Sequence, residues 1–271
     1  MFFELVKEML CAEGIESISA ISLKNCIIKK PYLLEKAGID KEKGNAVIFT
    51  VPYYLPGEKD RNISLYAVSK DYHLYFSELF GKILPKLKEQ YPSNAFALFS
   101  DHSPIDEVHA ASAAGLGIIG KNHLLITEKY SSFVFIGSIM TDIYFDTFFS
   151  PTKECENCGR CYASCPCHLD TSKCISALSQ KKGELSEEEK NVLISSGTAW
   201  GCDACQLACP HSEGISETKI PFFLHNRIPH LTSDLIKGMN EDDFSARAYS
   251  WRGRNTILRN LKLFENGDEN E

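Results

Sequence analysis

The segment Cys155-Glu156-Asn157-Cys158-Gly159-Arg160-Cys161-Tyr162-Ala163-Ser164-Cys165-Pro166, answered later by Gly201-Cys202-Asp203-Ala204-Cys205-Gln206-Leu207-Ala208-Cys209-Pro210, decides how this chain is read. The first run has the spacing C-x2-C-x2-C-x3-C-P, which holds [4Fe–4S] clusters. Three thiolates at i, i+3 and i+6 wrap one cubane, and the fourth cysteine turns away to serve a second. The second run repeats the pattern with one ligand absent. Crossed pairing therefore predicts one cluster on Cys155, Cys158, Cys161 and Cys209. The other takes Cys165, Cys202 and Cys205, with a fourth thiolate from Cys174 or Cys167. A pair of zinc sites favours paired C-x2-C knuckles and leaves the third cysteine and the Cys-Pro step unexplained.

Of 11 cysteines, only Cys11 and Cys26 precede residue 155, and these two read as buried small hydrophobes with no further role. The density of the rest would suggest disulfides in an exported chain. Residues 1–10 instead place Glu4, Lys7 and Glu8 at helical spacing, as an amphipathic first helix does and a signal peptide does not. No apolar run approaches the ~18 residues of a membrane span. A soluble, cytoplasmic protein is expected, and with it reduced thiols. The net charge of −7 gives no global attraction to nucleic acid, so any such contact needs a local basic patch.

Outward from the cysteines, the composition implies three parts and an α+β fold. Residues 1–150 alternate helix and strand, as a mixed α/β domain. Residues 151–220 form a bacterial-ferredoxin-like double-cluster domain, and residues 221–271 a C-terminal helical segment packing on the preceding parts. Helices are predicted at 2–13, 71–90 and 105–114, with Asp106 and Glu107 favourably placed in the first turn of the last. Leu74, Leu79, Phe80, Ile83, Leu84 and Leu87 are expected on one side of the long helix, and Pro85 can kink it. Strands are predicted at 17–22, 46–51, 95–99, 124–127 and 133–140. Residues 181–190 read as a charged connector, 255–263 as a closing helix, and the acidic tail 265–271 as a frayed terminus.

Two clusters carry electrons singly, near ~−400 mV in ferredoxin types. A free-standing carrier needs only the cysteine segment, so the first 150 residues should receive the electrons. Their densest stretch of unusual residues is Ser100-Asp101-His102-Ser103-Pro104-Ile105-Asp106-Glu107, followed by Ala114-Gly115-Leu116-Gly117-Ile118-Ile119-Gly120-Lys121-Asn122. Asp101 lies between a strand and a helix, where active-site carboxylates commonly sit; an N-cap or turn residue is the plainer reading. Gly115, Gly117 and Gly120 match no phosphate loop. They read as tight turns or as points where a large planar ligand meets the backbone.

These stretches resemble the epoxyqueuosine reductases, cobalamin-dependent iron–sulfur enzymes of tRNA modification. The resemblance runs through most of the chain: Tyr66-Ala67 with Asp71-Tyr72-His73, Asp101 to Val108, Ala114 to Asn122, Gly137 to Asp142, Lys173-Cys174-Ile175-Ser176, Gly201 to Pro210 and Ile257-Leu258-Arg259-Asn260. It implies Cys174 as the eighth cluster ligand and cobalamin on the first domain, with Tyr72, His73, Ser103, Lys121 and Asn122 at motif positions. It also implies that an external low-potential donor feeds the clusters, which reduce a base-off cobalamin to the cob(I) state. The cobalt then assists removal of the epoxide oxygen of epoxyqueuosine in a tRNA anticodon, with Asp101 as proton donor. That role needs a pKa above the ordinary ~3.9, as burial against an apolar macrocycle would give.

Departures concern the substrate. Val108 stands where the family has arginine, His102 replaces a small residue, the stretch from Cys165 to Cys174 is short, and the C-terminal helical repeats of longer members are missing. A corrinoid iron–sulfur reductase of a small molecule is one alternative, and a ferredoxin-like electron-transfer protein another. Arg247, Tyr249, Trp251, Arg252, Arg254 and Arg259 form the candidate tRNA contact, or else an ordinary helix covering the cluster domain. A monomer is expected, with no membrane partner.

Overall fold

The computed structural model describes residues 1–57 and 60–265; the tail from 266 onward, predicted to fray, lies outside the described residues. The chain divides into two compact units whose stretches alternate along the sequence. The first comprises Met1–Tyr53, Tyr75–Cys158 and His211–Ile220, and the second Tyr54–Leu74, Gly159–Pro210 and Pro221–Glu271. This division does not follow sequential boundaries at 150 and 220. Hydrogen bonds such as Ser131 Oγ to Ser212 Oγ (2.8 Å) and Ser216 N–H to Lys129 O (2.9 Å) attach residues beyond Pro210 to the first unit.

The first unit is built on an antiparallel sheet of order β1-β2-β6-β3, with β1 (Ser17–Ser22), β2 (Asn45–Pro52), β3 (Phe96–Ser100) and β6 (Val134–Thr141). Between the last two lies the short ribbon of β4 (Ile118–Ile119) and β5 (Leu125–Ile126). Strand β2 is buried along its whole length, as a continuous apolar run in a doubly covered sheet should be. Its side chains alternate between two cores. Ala46 and Ile48 join Ile21, Leu34, Ile105, Ala110 and Met140, contributed in part by helices α2 (Pro31–Ala37) and α4 (Glu107–Ala113). Phe49 points the other way, to the Phe76 ring 6.2 Å distant on α3 (Tyr72–Gln90). Gly137 is required there, because a Cβ would meet the rings of Phe49 and Phe76. Helix α1 (Phe2–Ala12) buries Phe2, Val6 and Leu10 at a four-residue repeat.

The strand predictions hold within one or two residues, but the stripe on α3 differs. Tyr75, Phe76, Leu79, Ile83 and Leu87 are its buried residues, while Leu74 is exposed. Aromatic side chains at 75 and 76 outweigh the leucine in apolar area, so the helix is rotated toward them. Cys11 is exposed, contrary to expectation, whereas Cys26 is half-buried and its thiol is pushed up to about 12 by burial.

The second unit contains only short helices and turns: α5 (Arg160–Ser164), α6 (Ile175–Ser179), α7 (Glu187–Ser196), α8 (Ala204–Leu207), α9 (Pro221–Leu224), α10 (Ser233–Gly238), α11 (Glu241–Ser245) and α12 (Arg254–Glu265). Part of the expected charged connector is α7, started by a capping box between Ser186 and Glu189. Its main core gathers Ile63, Ala67 and Val68 with Trp200, Phe244, Tyr249, Ile257 and Leu261. Among the described residues no helix is long and apolar enough to cross a membrane.

The closing motif has a structural explanation. Asn260 is fully buried, and its Nδ2 donates to the carbonyls of Ser179 (2.7 Å) and Ala199 (2.8 Å), joining α6 and the approach to Trp200 to α12. Arg259 donates to the carbonyls of Lys181 and Gly183. Asn260→Ala leaves two buried carbonyls without donors and should cost about 1–3 kcal/mol. A urea midpoint unchanged in this variant would show that the link carries no stability.

Candidate active site

Asp101 lies one residue past the end of β3, an edge strand that is half-exposed from Phe96 to Ser100. Its backbone is left-handed, with φ 67°, and the residue is exposed. An aspartate tolerates that conformation better than most residues. The following turn is tight: His102 N–H donates to Ser100 O (2.8 Å) and Ser103 N–H to Asp101 O (3.1 Å). Residues 27–30 brace it, since Lys29 and Lys30 N–H both donate to Pro104 O and Asp106 N–H to Ile27 O. The N-cap of α4 is Asp106, whose carboxylate accepts from His109 N–H at 3.1 Å. The capping role considered for Asp101 thus belongs to another residue.

Three further groups surround Asp101 in this unit. His102 contacts Lys30 Nζ through Nδ1 (3.1 Å) and Tyr32 OH through Nε2 (3.2 Å). Ser103 is buried, and its Oγ accepts Ile105 N–H at 3.4 Å, so that oxygen serves the turn. Glu107 opens α4 with a buried Oε1 that has no hydrogen-bond partner. Burial pushes its carboxyl up to about 8, and the Asp101 carboxylate adds to the rise. The backbone N–H of Asp101 and the charge of Lys30 act in the opposite direction without cancelling it.

Lys121 and Asn122 lie in the turn joining β4 to β5. Lys121 is exposed, while Asn122 Oδ1 accepts Leu124 N–H at 3.4 Å. The glycines before them are demanded by packing. A Cβ on Gly117 would strike Ile126 O, one on Gly120 would strike Asn122 Oδ1, and Gly115 has φ 80° with the Phe148 ring 2.9 Å from its would-be Cβ. The tight-turn reading accounts for all three. Tyr72 and His73 lie in the second unit at the start of α3. His73 is exposed, its Nδ1 is 2.8 Å from Asp71 Oδ1, and the Tyr72 and His73 rings are 4.1 Å apart.

For cobalamin, the fit rests on the first unit. Strand β3 stops opposite Gly137, and residues 134–136 of β6, beyond that end, are half-exposed and apolar. Ser100 Oγ, Glu107 Oε1 and His109 Nδ1 nearby in sequence are buried without partners. The half-exposed apolar side chains of Val134 and Ile136, on the face of the sheet that packs with α4, suit contact with a macrocycle.

For the clusters, Cys155 belongs to the first unit, beside a cavity of about 330 Å3 lined by Gly120, Lys121, Glu154 and Asn157; its sulfur accepts the backbone N–H of Lys121 at 3.4 Å. In the second unit, the loop after Cys165 turns back through left-handed His168 and Leu169. Burial raises the Cys165 thiol, but the N–H groups of Leu169, Cys167 and His168 and the Cys167 thiol together bring it below its usual value. Cys167 lies 3.4 Å from that sulfur and is itself pushed up to about 11, by burial and then by Cys165. Burial also raises Cys202, and the charges of Asp203, Cys174 and Cys165 add to it. Backbone N–H groups around sulfur are what a thiolate ligand requires. Among the described residues no three His, Cys, Asp or Glu side chains converge on a single-ion site; a cubane instead takes each thiolate on a separate iron.

Asp203, inside the second cysteine run, was not foreseen. It is 4% exposed and accepts from Arg61 Nη1 (2.6 Å), Ser64 Oγ and Leu65 N–H (2.8 Å). The expected basic-aromatic contact is mostly internal. Arg247 and Tyr249 are buried, Arg254 is held by Ile236 O and Glu241, and Arg259 by carbonyls. Only Trp251, 55% exposed, with the Arg252 guanidinium 3.6 Å from its ring centre, presents the chemistry expected of that stretch.

No protein-family model matches the chain. The fold is that of solved epoxyqueuosine reductases. The Streptococcus thermophilus enzyme superposes with TM-score 0.76 at 22% identity, covering 97% of this chain and 81% of that one. A structure of an epoxyqueuosine reductase with an epoxyqueuosine-modified tRNA-Tyr stem loop gives 0.75 at 22% identity. By sequence, the epoxyqueuosine reductase of Listeria monocytogenes is 30% identical over 207 residues, 70% of this chain and 53% of that protein. The chain is thus a relative of the epoxyqueuosine reductases, as its motifs implied, and it spans about half the length of the curated relatives it matches.

Anaerobically reconstituted protein should hold about eight iron and eight sulfide per chain. Cys174→Ala should lose one cluster and Cys167→Ala neither; the opposite pattern would exchange their roles. Stoichiometric zinc without sulfide would remove the redox reading.

Proposed function

We propose that the chain is an iron–sulfur and cobalamin-dependent oxidoreductase that reduces epoxyqueuosine to queuosine in tRNA. The observation that carries this reading is Asp101, held exposed in a braced left-handed turn at the end of β3, beside a half-exposed apolar strand surface. Its support from outside the chain is the relatives' name and the tRNA stem loop bound by one of the solved neighbours. A tRNA substrate and reduced thiols suit a cytoplasmic protein.

Cysteines 155, 158, 161 and 209 would hold one cluster and 165, 174, 202 and 205 the other, as a ferredoxin-like pair. Proximity supports the second set, since Cys165 and Cys174 both act on Cys202. When bound, the clusters supply electrons one at a time from an external low-potential donor, and cobalamin supplies a strongly reducing cobalt against the substrate carbon. Lys121, Asn122, Tyr72 and His73 are the side chains proposed to meet the corrin amides; Ser103 would shape the turn that presents Asp101. Asp101 protonates the departing epoxide oxygen, which must leave with a proton for the alkene to form.

A small-molecule substrate is the second reading. The His102, Lys30 and Tyr32 cluster next to Asp101 favours it, because it puts bulk where the family has a small residue. The internal commitment of most of the basic-aromatic stretch also favours it.

Two measurements test the proposal. Electron paramagnetic resonance of the cobalt(II) cobalamin complex should lack nitrogen splitting from an axial ligand; absence of cobalamin binding would leave an electron carrier. Asp101→Asn should still load clusters and cobalamin, yet turnover of epoxyqueuosine tRNA should fall by ~10²-fold or more. An Asn variant that cannot bind cobalamin would make Asp101 structural. A wild type that reduces cobalamin but ignores the tRNA would point to the small molecule.

A further inference from the structure

Glu107 is a carboxyl group without an evident structural reason to be one. It opens a seven-residue helix whose N-cap is already supplied by Asp106. Its Oε1 is buried and unpaired, a cost that an apolar side chain would avoid. The carboxyl accepts the backbone N–H of Asp101 and lies within the reach of that residue's charge. Two carboxyls so placed resist losing both protons, and their titration belongs to the pair.

The proposed reaction gives such a pair a task. Removing an epoxide oxygen breaks two C–O bonds, forms one C=C bond and releases water. The balance is two electrons, entering singly from the low-potential donor, and two protons. One carboxyl can deliver only one proton before it must be recharged.

We propose that Asp101 and Glu107 form a working carboxyl pair holding one proton near neutral pH, in which Glu107 positions Asp101 and stores that proton, Asp101 delivers it to the departing oxygen, and solvent recharges the pair for the second. This rests on the epoxyqueuosine reading of the same site. Glu107 is a positioning residue, since it acts through Asp101. The charged groups facing it are few. Asp101 and Asp106 disfavour its ionisation and Lys30 favours it; Lys29 is 3.5 Å from Asp106 and offsets that charge. His109, one turn-step along α4, has a buried Nδ1 without a partner. The strands packed against α4, namely β1, β2, β4, β5 and β6, carry no ionisable side chain. Nothing from the sheet therefore favours an ionised Glu107, which keeps its proton to about pH 8.

The test combines a titration with a variant, using the anaerobically reconstituted full chain. Carbon-13 NMR of labelled Glu carboxyls in the wild type should show one group titrating near 8, absent in Glu107→Gln. Gln keeps an acceptor for the Asp101 N–H but cannot release a proton. Turnover of epoxyqueuosine tRNA by the wild type should fall as pH rises through about 8, where the pair loses its last proton. In Glu107→Gln that fall should move to the ordinary carboxylate range, lowering the rate at pH 7 by about 10-fold or more. A Glu107 signal that titrates near the usual ~4.3 overturns the pair, and it needs no variant to fold. A Gln variant with the wild-type rate and pH profile overturns it as well, since a purely structural role would be preserved. If the wild type ignores the tRNA, the substrate reading and the stored proton's assigned task both fall, and the titration alone decides whether the pair exists.

Discussion

The second unit depends on keeping one buried negative charge satisfied. Asp203 sits between two cysteines in a stretch too poor in apolar residues to make its own core, and it is almost wholly withdrawn from water. Such a carboxylate is tolerable only if its oxygens are filled, and losing a partner typically costs about 3–5 kcal/mol. Arg61, Ser64 and the Leu65 N–H fill them. Because those donors come from residues 61–65, the carboxylate fastens an excursion from the early chain onto the cysteine run. Gly201 permits the approach: its φ is 70°, and a Cβ there would lie 2.5 Å from Ser64 Cβ. Trp200 then donates to Tyr66 OH at 2.9 Å and enters the core built by that excursion and α12. A loop-rich segment is thereby tied to a packed core.

The first unit solves a different problem, which is to present a polar group at the end of a buried sheet. Every position of β2 is buried, so reactive side chains cannot come from the centre of the sheet. Asp101 instead follows β3, an edge strand shorter than its partner, whose last residue pairs with Gly137. Immediately beyond it the chain needs a left-handed residue, and Asp101 supplies both that conformation and the carboxyl. The backbone bonds from residues 27–30 to 104–106 hold the turn from its far side. Main-chain pairing therefore holds the turn that carries Asp101 and His102.

Legibility in the sequence followed how local each signal was. Strand β1 was read with its observed limits because alternation and flanking polar residues suffice for a two-faced strand. Helix α7 was missed, although Ser186 and Glu189 are at capping-box spacing, because its charged first turn resembles a solvated connector. The alternating division of the chain could not be read from composition: Asp203, Arg61 and Asn260 find their partners only through the fold. The arginines near the C-terminus were ambiguous for a related reason. A guanidinium that ties carbonyls together has the same one-letter signature as one awaiting a phosphate, and burial alone separates them. The three glycines were ambiguous until their neighbours were known, and the ribbon of β4 and β5 then explained them without a ligand.

One departure from the family's pattern, His102, lies directly beside Asp101. His102 brings an imidazole where a small residue is usual, and Lys30 and Tyr32 converge on its two ring nitrogens. Glu107 meets Asp101 through backbone and charge. In the proposed reaction, the proton chemistry and the substrate's approach would be served by different neighbours of the same aspartate. A change at His102 can alter what fits against Asp101 without disturbing Glu107, because the turn between them is fixed by main-chain bonds to Pro104 and Ile27. On the proposed function, the choice between a tRNA base and a smaller substrate would rest with the His102, Lys30 and Tyr32 cluster, which can change without disturbing that turn.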